Sequence, residues 1–137
     1  MSCKIELPEN FTDFRGSIQA LLHEHSGSVV VIDTFPAVQR ANHYHKEDYH
    51  YCYIISGKIV YYERPAGSKE IPKKSIFLPG EMFYTPPMIE HCMYFEEHTV
   101  FITLGGKTRR QEEYEADLVR LESLHEEYIS HMKEGGV

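Results

Sequence analysis

The stretch RANHYHKEDYHYCYIISGKIVYYE, residues 40–63, decides how the rest of the chain is read. Three histidines, His43, His45 and His50, fall within eight positions of it, among tyrosines and β-branched residues. Residues two apart on a strand point to the same face, so His43 and His45 can approach one point together. His50 lies five positions from His45, an odd step, and an unbroken strand would aim it to the opposite side. The intervening Lys46, Glu47 and Asp48 are polar turn material. If they reverse or bulge the chain, His50 opens the next strand and faces inward with Cys52 and Ile54. Tyr49, Tyr51 and Tyr53 then occupy the other face.

Working outward, residues 28–104 show short β-like runs separated by turn residues. SVVVIDTF at 28–35 stops at Pro36, and YHYCYII at 49–55 is followed by Ser56-Gly57 and then KIVYYE at 58–63. KSIFL at 74–78 ends at Pro79-Gly80, EMFYT runs into Pro86-Pro87, and HCMYF at 91–95 and TVFITL at 99–104 form a last pair. Strands every ten or so residues, with Gly and Pro between them, predict an antiparallel sandwich or barrel. Beyond it the period changes. Tyr114, Leu118, Leu121, Leu124, Tyr128 and Met132 recur at helical steps, with Lys133 and Gly135 placed to end a helix over about 110–133. Within that span ADLVRL also reads as an edge strand.

Composition narrows the function classes. The 137 residues suit one domain, 1–137, with 42% hydrophobic and 26% charged residues, the balance of a globular protein. No apolar run approaches the ~20 residues of a membrane span, and MSCKIELPENF lacks the features of a secretory signal. The expectation is a cytoplasmic protein with no membrane partner. Net charge is −7 with no basic block, which argues against nucleic acid as a partner. Cys3, Cys52 and Cys92 are an odd count without CxxC spacing, which suits a reducing compartment better than a disulfide framework.

A fourth imidazole comes from GEMFYTPPMIEH, in which Gly80 precedes Pro86 by six and His91 follows it by five. Neutral imidazole is a common ligand for Zn, Fe, Ni and Cu, whereas a His-rich set with few carboxylates disfavours Mg and Ca. His43, His45, His50 and His91 are therefore the expected ligands of one divalent transition metal ion, Zn, Fe, Ni or Mn. His23 and His25 have no partner pattern downstream, and His98, His125 and His131 read as solvated positions.

These two stretches resemble the paired motifs of the cupin superfamily. His43, His45 and Gly57 fall where its first motif has HxH and a glycine; Gly80, Pro86 and His91 fall where the second has glycine, proline and histidine. His50 stands at the motif's glutamate position and Met88 at its PxG glycine. The resemblance covers about 28–104 and implies an all-β double-stranded β-helix, a jelly-roll barrel, carrying the C-terminal α-helix.

A second resemblance narrows the chemistry. RANHYHK is similar to the RGxHxHK stretch of sugar-nucleotide 3,4-ketoisomerases and of cupin domains in capsule assembly, with Ala41 at the glycine position. TDFRGSI at 12–18 and PPMIEHCMYFEEHTVFITL are similar to segments of those enzymes and of the 3,5-epimerases. The resemblance implies proton removal next to a carbonyl. It implies His43 and His45 as the catalytic pair and Arg40 as substrate anchor, with Arg15 and Lys46 as further cations. Tyr53 is the expected acid, with Tyr51 and Tyr84 as substrate contacts, on a small-molecule substrate of nucleotide-sugar type. A histidine whose lone pair binds a metal cannot also accept a proton, so a bound ion would leave Tyr53 or Glu90 to move it. Two rival functions stand beside the isomerase: an Fe(II) cupin dioxygenase and a non-catalytic metal- or sugar-binding module. A small barrel with exposed edges is also expected to form a homodimer.

Overall fold

In the computed structural model, which describes residues 3–134, twelve strands and two helices are arranged around a sandwich of two five-stranded sheets. The strands are β1 (Lys4–Ile5), β2 (Phe11–Asp13), β3 (Gly16–Ile18), β4 (Ser28–Thr34), β5 (Val38–His45), β6 (His50–Ser56), β7 (Ile59–Pro65), β8 (Lys73–Phe77), β9 (Met82–Thr85), β10 (Ile89–Phe95), β11 (Thr99–Gly105) and β12 (Leu118–Arg120). The helices are α1 (Gln111–Asp117) and α2 (Leu124–Glu134). One sheet runs β1-β9-β6-β11-β4, the other β12-β5-β10-β7-β8, and every pairing in them is antiparallel. From β4 to β11 consecutive strands thus land in opposite sheets, except for the β7–β8 hairpin, giving the expected jelly roll.

Alternation decides what lies between the sheets. Cys52 and Ile54 on β6, Ile59 and Tyr61 on β7, and Met93 and Phe95 on β10 point inward with Phe77, Phe83 and Phe101. The aromatic rings dominate: Tyr61 and Phe83 lie 4.4 Å apart and Phe77 stacks on Phe83 at 4.6 Å. The β6–β7 turn needs Gly57, which holds φ 88°; a Cβ there would meet the His98 carbonyl and the Thr99 hydroxyl at 2.4 Å.

Two elements depart from the sequence expectation. The C-terminal segment is not one helix over 110–133. It breaks into α1, β12 and α2, because Leu118–Arg120 pairs with His43–His45 and covers the otherwise free edge of β5. Leu118 is buried against the barrel by that pairing. Leu124 and Tyr128 of α2 pack on Val60, Tyr62, Cys92 and Tyr94, the outer face of the second sheet. Gly135, the expected helix stop, lies outside the described residues. The second departure is at the start, where β1 and the β2–β3 hairpin precede the region whose sequence reads as strand.

Candidate functional site

The site begins at the antiparallel pair β5–β10. His43 stands opposite His91, while Ala41 and Arg40 stand opposite Cys92 and Met93, so Asn42 is an extra residue in β5. That bulge matters because Arg40 and His43 are three apart, an odd step, yet both line the same cavity. Ala41 and Asn42 hold φ 71° and 55°, the left-handed region. His45 follows inward by ordinary alternation. Residues 46–49 then reverse the chain, and His50 opens β6 facing inward with Cys52 and Ile54, as the spacing requires.

The four imidazoles converge. Ring centroids of His43 lie 4.8 Å from both His45 and His91, and His45 lies 4.8 Å from His50. All four residues are buried, at 2–7% exposure. They line a cavity of about 310 Å³ between the sheets. Met88, at the position of the family glycine, keeps a left-handed φ of 63°, and its N–H donates to the His45 carbonyl at 2.7 Å. The turn that delivers His91 therefore survives without glycine.

Hydrogen bonds fix which nitrogen each ring presents. His91 Nδ1–H donates to the Ile89 carbonyl at 2.9 Å, and His45 Nδ1–H donates to the Asp117 carboxylate at 3.0 Å. Both acceptors can only accept, so each ring carries its proton on Nδ1 and offers the Nε2 lone pair. Among the described residues His45 Nε2, His43 Nδ1 and His50 Nε2 have no hydrogen-bond partner; Asp48 Oδ2 is 3.4 Å from His50 Nε2 but poorly aligned. Burial, and then the neighbouring imidazoles, push the pKa of His43 down to about 2 and that of His50 to about 3. Burial lowers His91 to about 4 against the opposing pull of its carbonyl partner. These three rings are neutral at physiological pH.

That donor set fits a divalent transition metal. Ligand atoms of His43, His45 and His91 all lie within 4.8 Å of one another, and unprotonated lone pairs aimed at one buried space are what such an ion requires. The bonds to Asp117 and Ile89 are of the kind that orients imidazoles where they ligate a metal.

Strand residues make most of the remaining wall, and the C-terminal segment adds three charged or phenolic groups. Arg109, Tyr114 and Arg120 line it together with Arg40, concentrating positive charge in an acidic chain. Tyr114 lies 5.3 Å from the His45 ring and 6.3 Å from the His43 ring, with the Arg109 guanidinium 4.4 Å above its own ring. Burial raises the Tyr114 pKa, with Arg109 opposing. Burial also pushes the Asp117 carboxyl up, but the N–H groups of Asp48 and Glu47 and the His45 ring outweigh it and hold it below the usual carboxylate range. Arg40 donates to the Thr34 hydroxyl at 2.8 Å, which anchors it at the far side of the cavity.

Other expected site residues lie elsewhere. Tyr51, Tyr53 and Tyr84 do not line the cavity. They alternate with the inward residues Cys52, Phe83 and Thr85, and Tyr51 packs on Tyr84 at 4.7 Å on the outer face. Glu90 points away from His91 and pairs with Arg64 at 2.8 Å. Arg15 is bound to Asp13 in the exposed β2–β3 hairpin, and Lys46 is an exposed turn residue. His125 is not simply solvated: it stacks on Tyr94 at 4.1 Å and contacts the Tyr62 hydroxyl at 2.8 Å. Arg109, Tyr114, Asp117 and Arg120 belong to no motif of the sequence. The one signal was the alternation in ADLVRL, which as a strand beside β5 puts Arg120 opposite His43.

No protein-family model matches the sequence, and no curated protein matches it. Solved structures do match. A sugar 3,4-ketoisomerase from Thermoanaerobacterium thermosaccharolyticum, in complex with TDP, superposes with a TM-score of 0.67 over 94% of this chain and 93% of its own, at 17% identity. A dTDP-4-dehydrorhamnose 3,5-epimerase from Sulfolobus tokodaii gives 0.65 over 82% and 72%, also at 17%. The capsular polysaccharide assembling protein of Staphylococcus aureus gives 0.65 at 21% identity over 87% of this chain, which spans 32% of that larger protein. These likenesses establish the fold, an antiparallel jelly-roll barrel, and the resemblance read from the motifs is to the same group of proteins. Among the described residues no helix is long and apolar enough to cross a membrane.

Proposed function

We propose that the protein is an enzyme that isomerises or epimerises a nucleotide sugar at a position beside a carbonyl. The observation that carries this reading is a cavity in which neutral imidazoles and a tyrosine face three arginines in a chain of net charge −7. Such chemistry needs a group to take a proton from the carbon next to C=O, a group to return one, and cations to hold the diphosphate. Arg40, Arg109 and Arg120 bind the diphosphate. A cavity of about 310 Å³ holds the sugar and leaves the nucleoside at its mouth. The ketoisomerase it resembles in fold was solved with TDP, and the epimerase is named for a dTDP-sugar, which supports this substrate class.

His43, His45 and His91, with His50 beside them, hold one divalent transition metal ion. Bound there, the ion supplies Lewis acidity toward the substrate carbonyl. The metal-binding rings no longer accept protons, so the Tyr114 hydroxyl, beside His43 and His45, moves the proton. The Asp117 contact favours a second use of the same cavity. With no ion bound, His45 Nε2 is a free base, and Asp117 behind Nδ1 stabilises the imidazolium that forms. Tyr114 then protonates the enolate oxygen.

Elemental analysis separates the two. Stoichiometric metal that is lost in His43→Ala/His91→Ala supports the ion, and near-zero content in both proteins supports the base. Product analysis on a panel of nucleoside-diphosphate 4-keto sugars tests the reaction itself. Oxygen uptake stimulated by Fe(II) would replace the isomerase with a dioxygenase. Ligand-induced thermal shifts without turnover would make the barrel a binding module.

The chain also pairs with a copy of itself in the cytoplasm. β4 is a sheet edge and presents Val29 and Val31 at 64% and 68% exposure, surface that a second barrel would cover. Light scattering that finds only monomer would remove this.

A further inference from the structure

We infer that Asn42 is a positioning residue: it locks the β5 bulge that turns Arg40 and His43 into one cavity, and the entry to α2 holds it there. Three observations converge. First, the bulge is what places the site. Asn42 has no partner in the β5–β10 register, and were it to rejoin the ladder, Arg40 and His43 would fall on opposite faces of the strand. Second, the bulge is conformationally costly. Ala41 and Asn42 are consecutive left-handed residues, and only Asn is a side chain that adopts that region readily.

Third, the hydrogen bonds that oppose this cost all converge on residue 42 and its neighbour. Asn42 Oδ1 accepts from the Leu124 N–H at 3.1 Å, the first residue of α2. Its carbonyl accepts from the Leu121 N–H at 2.9 Å, and its Nδ2 donates to Gln39 Oε1 at 3.1 Å. Gln39 Oε1 also takes the Ser123 hydroxyl at 2.6 Å and the Cys92 thiol at 3.5 Å. Ser123 in turn accepts from the Glu126 N–H, the N-cap bond of α2. The start of the C-terminal helix is therefore tied, through the side chains of Asn42 and Gln39, to the backbone that aims His43. Glycine would satisfy the backbone at 42 but would remove the bonds from its side chain to Leu124 and Gln39. Aspartate keeps the left-handed tolerance and the acceptor for Leu124.

The test reads ring geometry and so stands apart from any catalytic role of the cavity. NMR follows the NOE between the His43 and His91 rings, whose centroids lie 4.8 Å apart, alongside the thermal transition. Asn42→Gly is expected to stay folded and lose that NOE, and Asn42→Asp to recover at least part of it. A folded Asn42→Gly with the NOE intact overturns the proposal, as does an Asn42→Asp that loses it equally. Should the glycine variant not fold, Ser123→Ala removes one bond of the same network. A weakened NOE there supports the proposal, and an unchanged one overturns it.

Discussion

Strands β4–β11 and the segment from Lys107 to Ser123 build the cavity in different ways. The strands carry their site residues in a strict two-residue alternation, broken once by the Asn42 bulge and once by the turn before His50. The later segment carries Arg109, Asp117 and Arg120 outside the helical stripe that Tyr114 begins, and its short helix α1 buries no residue. It is held instead by what it meets on β5 and the turn that follows it. Asp117 takes the N–H groups of Glu47 and Asp48 and the His45 ring, the Lys46 N–H reaches the Asp117 carbonyl, and Leu118–Arg120 zips along His45–His43. Imidazoles from a rigid scaffold thus face charged and phenolic groups from a strap whose place is set by partners rather than by its own pattern.

Substitutions should sort by which half they touch. The double variant His43→Ala/His91→Ala strips the scaffold half and is expected to reduce the proposed isomerase activity by about 10³-fold or more, with the barrel still folded by circular dichroism. Tyr114→Phe removes one hydroxyl from the strap half and should slow turnover by about 10²-fold with KM nearly unchanged. Asp117→Asn weakens the orientation of His45 and should cost about tenfold in metal affinity or rate. If Tyr114→Phe and Asp117→Asn were silent, the strap would be cover rather than part of the site.

Acid should act on the scaffold half first. His43, His50 and His91 titrate below their ordinary value in the folded protein, so the unfolded chain takes up their protons first as pH falls. Their contribution to stability is present above about pH 6.5 and declines as pH falls, down to about 4 for His91, 3 for His50 and 2 for His43, each ring by up to about 1.4 kcal/mol per pH unit. Urea midpoints at pH 7.5, 6 and 5 check the direction; a flat profile would mean the rings are less buried than described. The smallest effect tests the two left-handed positions that carry side chains where the similar motifs have glycine. Ala41→Gly and Met88→Gly should each raise stability by about 0.5–1 kcal/mol, because relief of the left-handed cost outweighs glycine's entropy.

The same contrast explains what the sequence disclosed. Strand positions, the convergence of His43, His45, His50 and His91, and the inward turn at His50 were legible because period two and the motif spacings are local. Arg40 reached the cavity only through a bulge that no residue count reveals. Tyr51, Tyr53 and Tyr84 have the right chemistry for a site, but alternation with Cys52 and Phe83 assigns them to the outer face. Tyr114 and Asp117 were hidden because a seven-residue helix anchored by backbone N–H groups 69 and 70 positions earlier leaves no trace in its own composition. The expected single helix failed for a related reason: pairing with the β5 edge overrode a helical stripe.

In the proposed reaction, imidazoles of the barrel and the groups facing them move a proton on carbon beside a sugar carbonyl. Solvent-deuterium exchange under anaerobic conditions, followed by NMR across a panel of nucleoside-diphosphate 4-keto sugars, tests it most directly. Deuterium should enter the carbon next to the carbonyl with the intact protein and not with His43→Ala/His91→Ala. Absence of label with every sugar, or equal labelling by the double variant, would contradict it.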